Sequence, residues 1–209
     1  MADARRTVED QLREEYFQLL PEIRRVAGQL QSQISYHLLP VANTLDAFEQ
    51  LIVKSRIKEC ESAVDALRRR QELATFDDEQ PNRYSLTKLN DLAGVRILLF
   101  PRKRIDEVDR VLREIFDSWT ADHLLVEGEV LALKYHGYSP VGDRVRGEYQ
   151  IVSMLTGLFW EVEHPAIYKP SPRLKGAVKS LAIEQRTSEV YRALQAFEDE
   201  FEATIRLNP

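Results

Sequence analysis

The chain has 209 residues, 44% hydrophobic and 30% charged, with few glycines and prolines; this suits a soluble globular protein with a substantial core and excludes a fibrous or disordered one. Its formal charge of −5 leaves no global footprint for nucleic acid, so any anion site has to be local. Cys60 is the only cysteine, which excludes an internal disulfide and a cysteine-based zinc site.

From Thr7 to about Leu39, Leu12, Tyr16, Leu19, Leu20, Ile23, Val26, Leu30 and Ile34 recur at three- and four-residue intervals, which is helical periodicity. Pro21 is expected to divide this stretch into two helices or to kink one. A second helical region is expected from about Thr44 to Leu73, and "TFDDEQPNRYS" reads as a loop. "LAGVRILLF" is an apolar, β-prone run typical of a buried central strand, and "RIDEVDRVLREIF" is an amphipathic helix with Ile105, Val108, Val111, Leu112 and Ile115 inward. "EVLALKY" and "EYQIV" read as strands separated by the turn-rich "HGYSPVGDRVRG". The last third returns to helix, interrupted by "YKPSPRLKG" and ending in "EQRTSEVYRALQAFEDEFEATI". Helices, then a small mixed sheet with helices on it, then more helix make an α+β (mixed α/β) architecture. The expected organisation is an N-terminal helical extension over 1–43, a central domain over 44–180 and a C-terminal helix over 181–209.

"MADARRTVEDQLREEY" carries charges where a signal peptide needs an apolar stretch, and no run approaches the roughly 18 apolar residues of a membrane span, so a cytoplasmic location is expected.

Several residues can carry chemistry. Asp91 stands just before "LAGVRILLF"; a lone Asp there is ordinarily a loop or cap residue, but a carboxylate at a sheet end can also reach a metal. Glu148 begins another strand, with Gln150 on the same face and Tyr149 and Ile151 on the other. If the strands are neighbours, the two carboxylates form a pair that attracts Mg²⁺ and phosphorylated substrates. Arg56, Lys58 and Ser62 lie in "SRIKECES", read as one helical face able to meet phosphate oxygens or as a solvated surface. "YKPSPRLKGAVK" supplies Lys169, Arg173, Lys175 and Lys179, a basic wall or an ordinary solvated connection. His164 follows Glu163 in an otherwise apolar run where a histidine is more often a core residue than a catalyst, and Phe159 and Trp160 read as packing. Walker, G-x-S-x-G and H-E-x-x-H patterns are absent.

From about Lys54 to Lys169 these segments resemble the synthetase domain of the RelA/SpoT family, which makes (p)ppGpp alarmones. "RIKECES" is similar to R-x-K-x-x-x-S, "DLAGVRI" to D-[IL]-A-G-[IV]-R-I, "EYQI" to the start of E-I-Q-I-R-T, and "EHPAIYK" to E-H-x-x-x-Y-K. The resemblance implies a nucleotidyltransferase-like mixed sheet flanked by helices. It also implies a GTP pyrophosphokinase-like transfer of pyrophosphate from Mg²⁺-bound ATP to the 3′-hydroxyl of a guanosine nucleotide. On it, Asp91 and Glu148 hold the metal and carry catalysis; Arg56, Lys58, Ser62 and Arg96 bind ATP; Tyr138, Gln150, Glu163, His164 and Lys169 line the acceptor side. It further makes a homo-oligomer an expectation.

The chain also departs from the pattern. "HGYSPVGD" stands in place of the family's G-Y-R-S-x-H loop, leaving Tyr138 as the candidate for stacking on the acceptor base, with the arginine and histidine missing. Val152 replaces the arginine of E-I-Q-I-R-T, Ala66 stands where a lysine often follows, with Arg68 or Arg69 as substitutes, and Trp160 is displaced by one from the usual tryptophan position, now Phe159. Alternative expectations are transfer to an adenosine nucleotide or to the CCA end of a tRNA, and a catalytically lapsed nucleotide- or partner-binding module.

Overall fold

A computed structural model describes residues 6–126, 128–163, 166 and 181–207. Thr7 caps the first helix, α1 (Val8–His37), its hydroxyl accepting from the Asp10 N–H. The helix is continuous through Pro21 rather than divided there. Pro21 and Phe17, whose carbonyl loses its helical partner, are both exposed, so water can take the freed acceptor. A short α2 (Leu39–Ala42) follows.

The second expected helix is corrected. Gln50–Ile57 is a strand, β1, and only Cys60–Arg70 is helical, as α3. The early part of β1 alternates between more and less exposed side chains, the period of an edge strand, with Leu51 and Val53 turned to the core. Then come β2 (Ala93–Phe100), α4 (Ile105–Ile115), the short β3 (Thr120–Ala121) and β4 (Leu124–Val126), β5 (Glu129–Tyr138), β6 (Arg146–Ser153), α5 (Met154–Glu163) and α6 (Leu181–Leu207). β5 runs through "HGY", so the expected turn begins three residues later than its composition suggested.

The sheet order is β1-β2-β6-β5-β3, with β4 paired to β5. β2 and β6 are parallel; the other pairs are antiparallel. Parallel neighbours need a crossover, and α4 lies within the long connection between them. α1 and α4 cover one face, where Leu30, Ile34, Val108 and Leu112 join Val95, Ile97, Tyr149 and Ile151 in one core. α1 is therefore part of the core. α5 covers part of the opposite face, over Leu98 and Val152. Its approach requires Gly157, since a Cβ there would lie 2.3 Å from Leu98 Cδ2.

Polar side chains of α1 fasten distant segments to it. Tyr16 donates to the Lys58 carbonyl (2.8 Å), Glu15 accepts from the Leu86 N–H (2.9 Å), and Glu22 accepts from the N–H groups of Arg144 (2.8 Å) and Val145 (3.0 Å). The three N–H groups lie outside the sheet ladders, and a carboxylate is the strongest acceptor available to them.

Leu30→Ala is expected to lower the unfolding free energy by about 2–5 kcal/mol in urea titrations, because Leu30 is fully buried between helix and sheet. Phe17→Ser on the outer side of the same helix, where Phe17 is 64% exposed, should change it by less than about 1 kcal/mol.

Candidate functional site

The site follows from strand register. On the face away from α1 and α4, Lys54 pairs with Arg96, Arg96 with Gln150, and Gln150 with Lys134, forming one row across four strands. The next row is Arg56, Gly94, Glu148 and His136. Side chains two apart on a strand share a face, so the rows stack into one polar patch. The following row, with Leu98 and Val152, is apolar and lies under α5. Gly94 leaves the floor low between Arg56 and Glu148; a Cβ there would come 3.3 Å from the Glu148 carbonyl oxygen.

Just beyond β2, Asp91 meets Lys58, which follows β1. Their ion pair is 2.7 Å long with side-chain exposures of 18% and 9%, and Arg70, from the last turn of α3, approaches the other carboxylate oxygen to 3.4 Å. Burial pushes the Asp91 carboxyl upward, but Lys58, Arg70 and Arg56 outweigh it and hold it below the usual value. Glu148 moves the other way. Burial raises it first and the Asp91 charge second, against the Gln150 amide, which donates to Glu148 Oε1, and against Lys134 and Arg56. Two carboxylates in one desolvated place thus divide into an acid held ionised and an acid biased toward its protonated form.

The donor set suits a hard divalent cation. Asp91 Oδ1 is buried without a hydrogen-bond partner, and Glu148 senses the same charge. Among the described residues, no cluster of three or more acidic, histidine or cysteine ligands forms anywhere, so a cation here would draw its protein ligands from this pair and the rest from water or substrate.

The remaining expected residues fall in different places. Arg56 and Lys58 share a face because they are two apart along extended chain, whereas Ser62 lies in the first turn of α3; the expected single helical face does not exist. Arg96 reaches Gln150 Oε1 at 3.4 Å and lies 5.3 Å from the Trp160 ring. Tyr138 is 55% exposed at the end of β5, with the Arg146 guanidinium 5.0 Å from its ring. Glu163 accepts a hydrogen bond from Tyr191 on α6. His164, Lys169, Arg173, Lys175 and Lys179 lie outside the described residues.

Four polar-face residues were missed in the sequence: Lys54, Lys134, His136 and Arg70. Alternation along "LALKYHGY" places Lys134 and His136 on one face, and register puts His136 directly opposite Glu148, so the polar face does contain a histidine. Arg70 is one turn beyond buried Ala66; it, rather than Arg68, which pairs with Asp65, reaches the site. Val152 is fully buried under α5, where an arginine would lack room and solvent. A hollow of about 560 Å³ between α4 and β5 shares none of these residues; Asp109, Glu114 and Asp117 against Arg110 and Arg113 make it unsuited to polyphosphate.

No family model matches the chain, and no curated protein does. Solved structures share its fold. The small alarmone synthetase 1 from Bacillus subtilis superposes with a TM-score of 0.66 at 18% identity, over 92% of this chain and 96% of that one. The same synthetase bound to its product pppGpp gives 0.65 at 17%, over 93% and 98%. A GTP pyrophosphokinase family protein from Streptococcus pneumoniae gives 0.62 at 17%, over 90% and 92%. The mixed sheet with helices on both faces is thus the fold of these proteins.

The opposed carboxylates set a pH signature. Glu148, raised in the folded chain, costs stability as pH rises from about 4.5 through its folded value, whereas Asp91, lowered, contributes stability that is lost only as pH falls below about 3.8. Glu148→Gln, melted in chelator, is therefore expected to raise the melting temperature at pH 7, with the gain shrinking toward zero below about pH 4.5.

Proposed function

We propose that the chain is an ATP-dependent pyrophosphotransferase that acts on the 3′-hydroxyl of a guanosine nucleotide. The observation that carries this reading is the pairing of Asp91 and Glu148 on a sheet face crowded by Arg56, Lys58, Arg70, Arg96 and Lys134. Such a face opposes little to a polyphosphate and offers two acidic groups for different tasks. The likeness to alarmone synthetases supports the fold part of this reading.

The reaction assigns each group a place. The acceptor 3′-oxygen attacks the β-phosphorus of ATP, the bond from that phosphorus to the oxygen bridging it to the α-phosphorus breaks, and AMP leaves with that oxygen. In its ionised form Glu148 would take the 3′-hydroxyl proton, its raised proton affinity favouring the transfer. Asp91 and Glu148 would hold Mg²⁺, which when bound supplies neutralisation and alignment of the donor phosphates. Lys58 and Arg70, which now neutralise Asp91, are in reach to turn toward phosphate oxygens when a cation takes over that carboxylate. Arg96 serves the adenine end, its guanidinium offering a planar stacking surface. Gln150, His136 and Lys134 then bound the acceptor side, with Tyr138 further along β5. Desolvation of this face strengthens each of these charge interactions.

The test uses ATP labelled in its β or γ phosphate, Mg²⁺, and GDP, GTP, ADP, ATP and bulk tRNA as separate acceptors. Label is expected on GDP or GTP with stoichiometric AMP release, and Asp91→Ala and Glu148→Ala should each lower the rate by about 10²–10⁴-fold. Transfer to ADP, ATP or tRNA alone would overturn the guanosine assignment; no transfer to any acceptor by a cooperatively folded chain would overturn the enzyme reading.

A further inference from the structure

Arg96 has an aromatic support that the motifs leave unexplained. Its only polar contact to Gln150 is a long 3.4 Å hydrogen bond, and among the described residues it forms no salt bridge, so the Trp160 ring at 5.3 Å is its principal restraint. An unrestrained arginine samples many rotamers, and a flat stacking surface requires most of them to be removed beforehand.

Trp160 is itself held from a remote part of the chain. Tyr191, on α6, donates its hydroxyl to Glu163 Oε2 at 2.8 Å, and the Trp160 indole N–H, which can only donate, is a partner of the same hydroxyl oxygen. Trp160 and Glu163 are three apart and so lie on one side of α5. The Tyr191 ring also meets Phe159 edge-on, with centroids 5.1 Å apart. α6 is a fixed support, because further along it Ser153 Oγ donates to fully buried Glu198 (2.7 Å) and the Lys103 N–H donates to Glu202 (2.7 Å). α5 is pinned on its other side by the Glu161–Lys54 ion pair at 2.7 Å.

We propose that Tyr191 is a positioning residue of the donor-nucleotide subsite. Its hydroxyl fixes the Trp160 indole, the indole holds one face of the Arg96 guanidinium, and the opposite face is presented to the purine base of the donor. The C-terminal helix is thereby a functional part of the nucleotide site. This rests on the reading of the polar face as an ATP site. It also gives Trp160 a role that ordinary core packing does not, since its ring and its N–H serve two different partners.

Tyr191→Phe removes one oxygen and keeps the ring against Phe159. The chain has two tryptophans, so in a Trp119→Phe background Trp160 alone reports by fluorescence. Relative to that parent, Tyr191→Phe should shift Trp160 emission to longer wavelength and raise the dissociation constant of a non-hydrolysable ATP analogue about five- to tenfold, the effect of one hydrogen bond. The acceptor KM and kcat should stay within about twofold. An unchanged analogue affinity overturns the proposal whether or not the emission moves. A parallel fall in kcat, acceptor affinity and melting temperature also overturns it, by marking a general structural defect. If the parent fails to bind the analogue, the ATP reading falls and the proposal with it, a failure recognisable because the unsubstituted Tyr191 chain shares it.

Discussion

The parallel register between β2 and β6 governs what the polar face can be. Gly94 pairs with Glu148 and Arg96 with Gln150, while the alternate residues Val95, Ile97, Tyr149 and Ile151 are buried under α1 and α4. A slip of one residue in either strand would turn its charged set into the core and its apolar set outward, at the cost of several buried side chains. The hydrophobic contact of helices with one face thus holds the charged groups of the other in line. Neither β1 nor β5 could assemble its part of the rows without these two central strands between them.

With the rows in place, the electrostatics follow from unequal company. Asp91 has Lys58, Arg70 and Arg56 around it, whereas Glu148 has a neighbouring amide, more distant cations and the negative charge of Asp91. Both are strongly desolvated, so these small differences in neighbours act at low effective dielectric and drive the two proton affinities apart. A carboxylate whose proton affinity burial raises, as it does for Glu148, gives up folding stability as the pH climbs through its folded value.

Some of this was legible in the sequence and some was not, for identifiable reasons. β2, α4 and β6 carried a clear period, as did α1 apart from the break expected at Pro21, and the carboxylates at the heads of two strands were visible as candidates. β1 was not, because "QLIVKSRI" is short, mixes apolar and charged residues, and runs into the helical spacing of α3. A window across both averages two periods into one. Lys134 and His136 escaped because a lysine and a histidine in an alternating strand have no local signature; only the cross-strand register gives them neighbours. Arg70 and Tyr191 reach partners 21 and 28 residues away, and no spacing rule encodes such pairs.

The fastening of α1 has a bearing on how the chain comes into being. Glu22 closes onto the backbone of Arg144 and Val145 across 122 and 123 residues of sequence, and Leu30 and Ile34 share their core with strands that end at Ser153. During synthesis the first helix therefore emerges long before the surface it is to cover exists. Its apolar stripe has to wait, exposed, while over a hundred further residues are added, and native closure is a late, non-local event. An N-terminal fragment ending before β6 lacks the central strand of the sheet. A leading piece able to close this sheet therefore has to extend through β6.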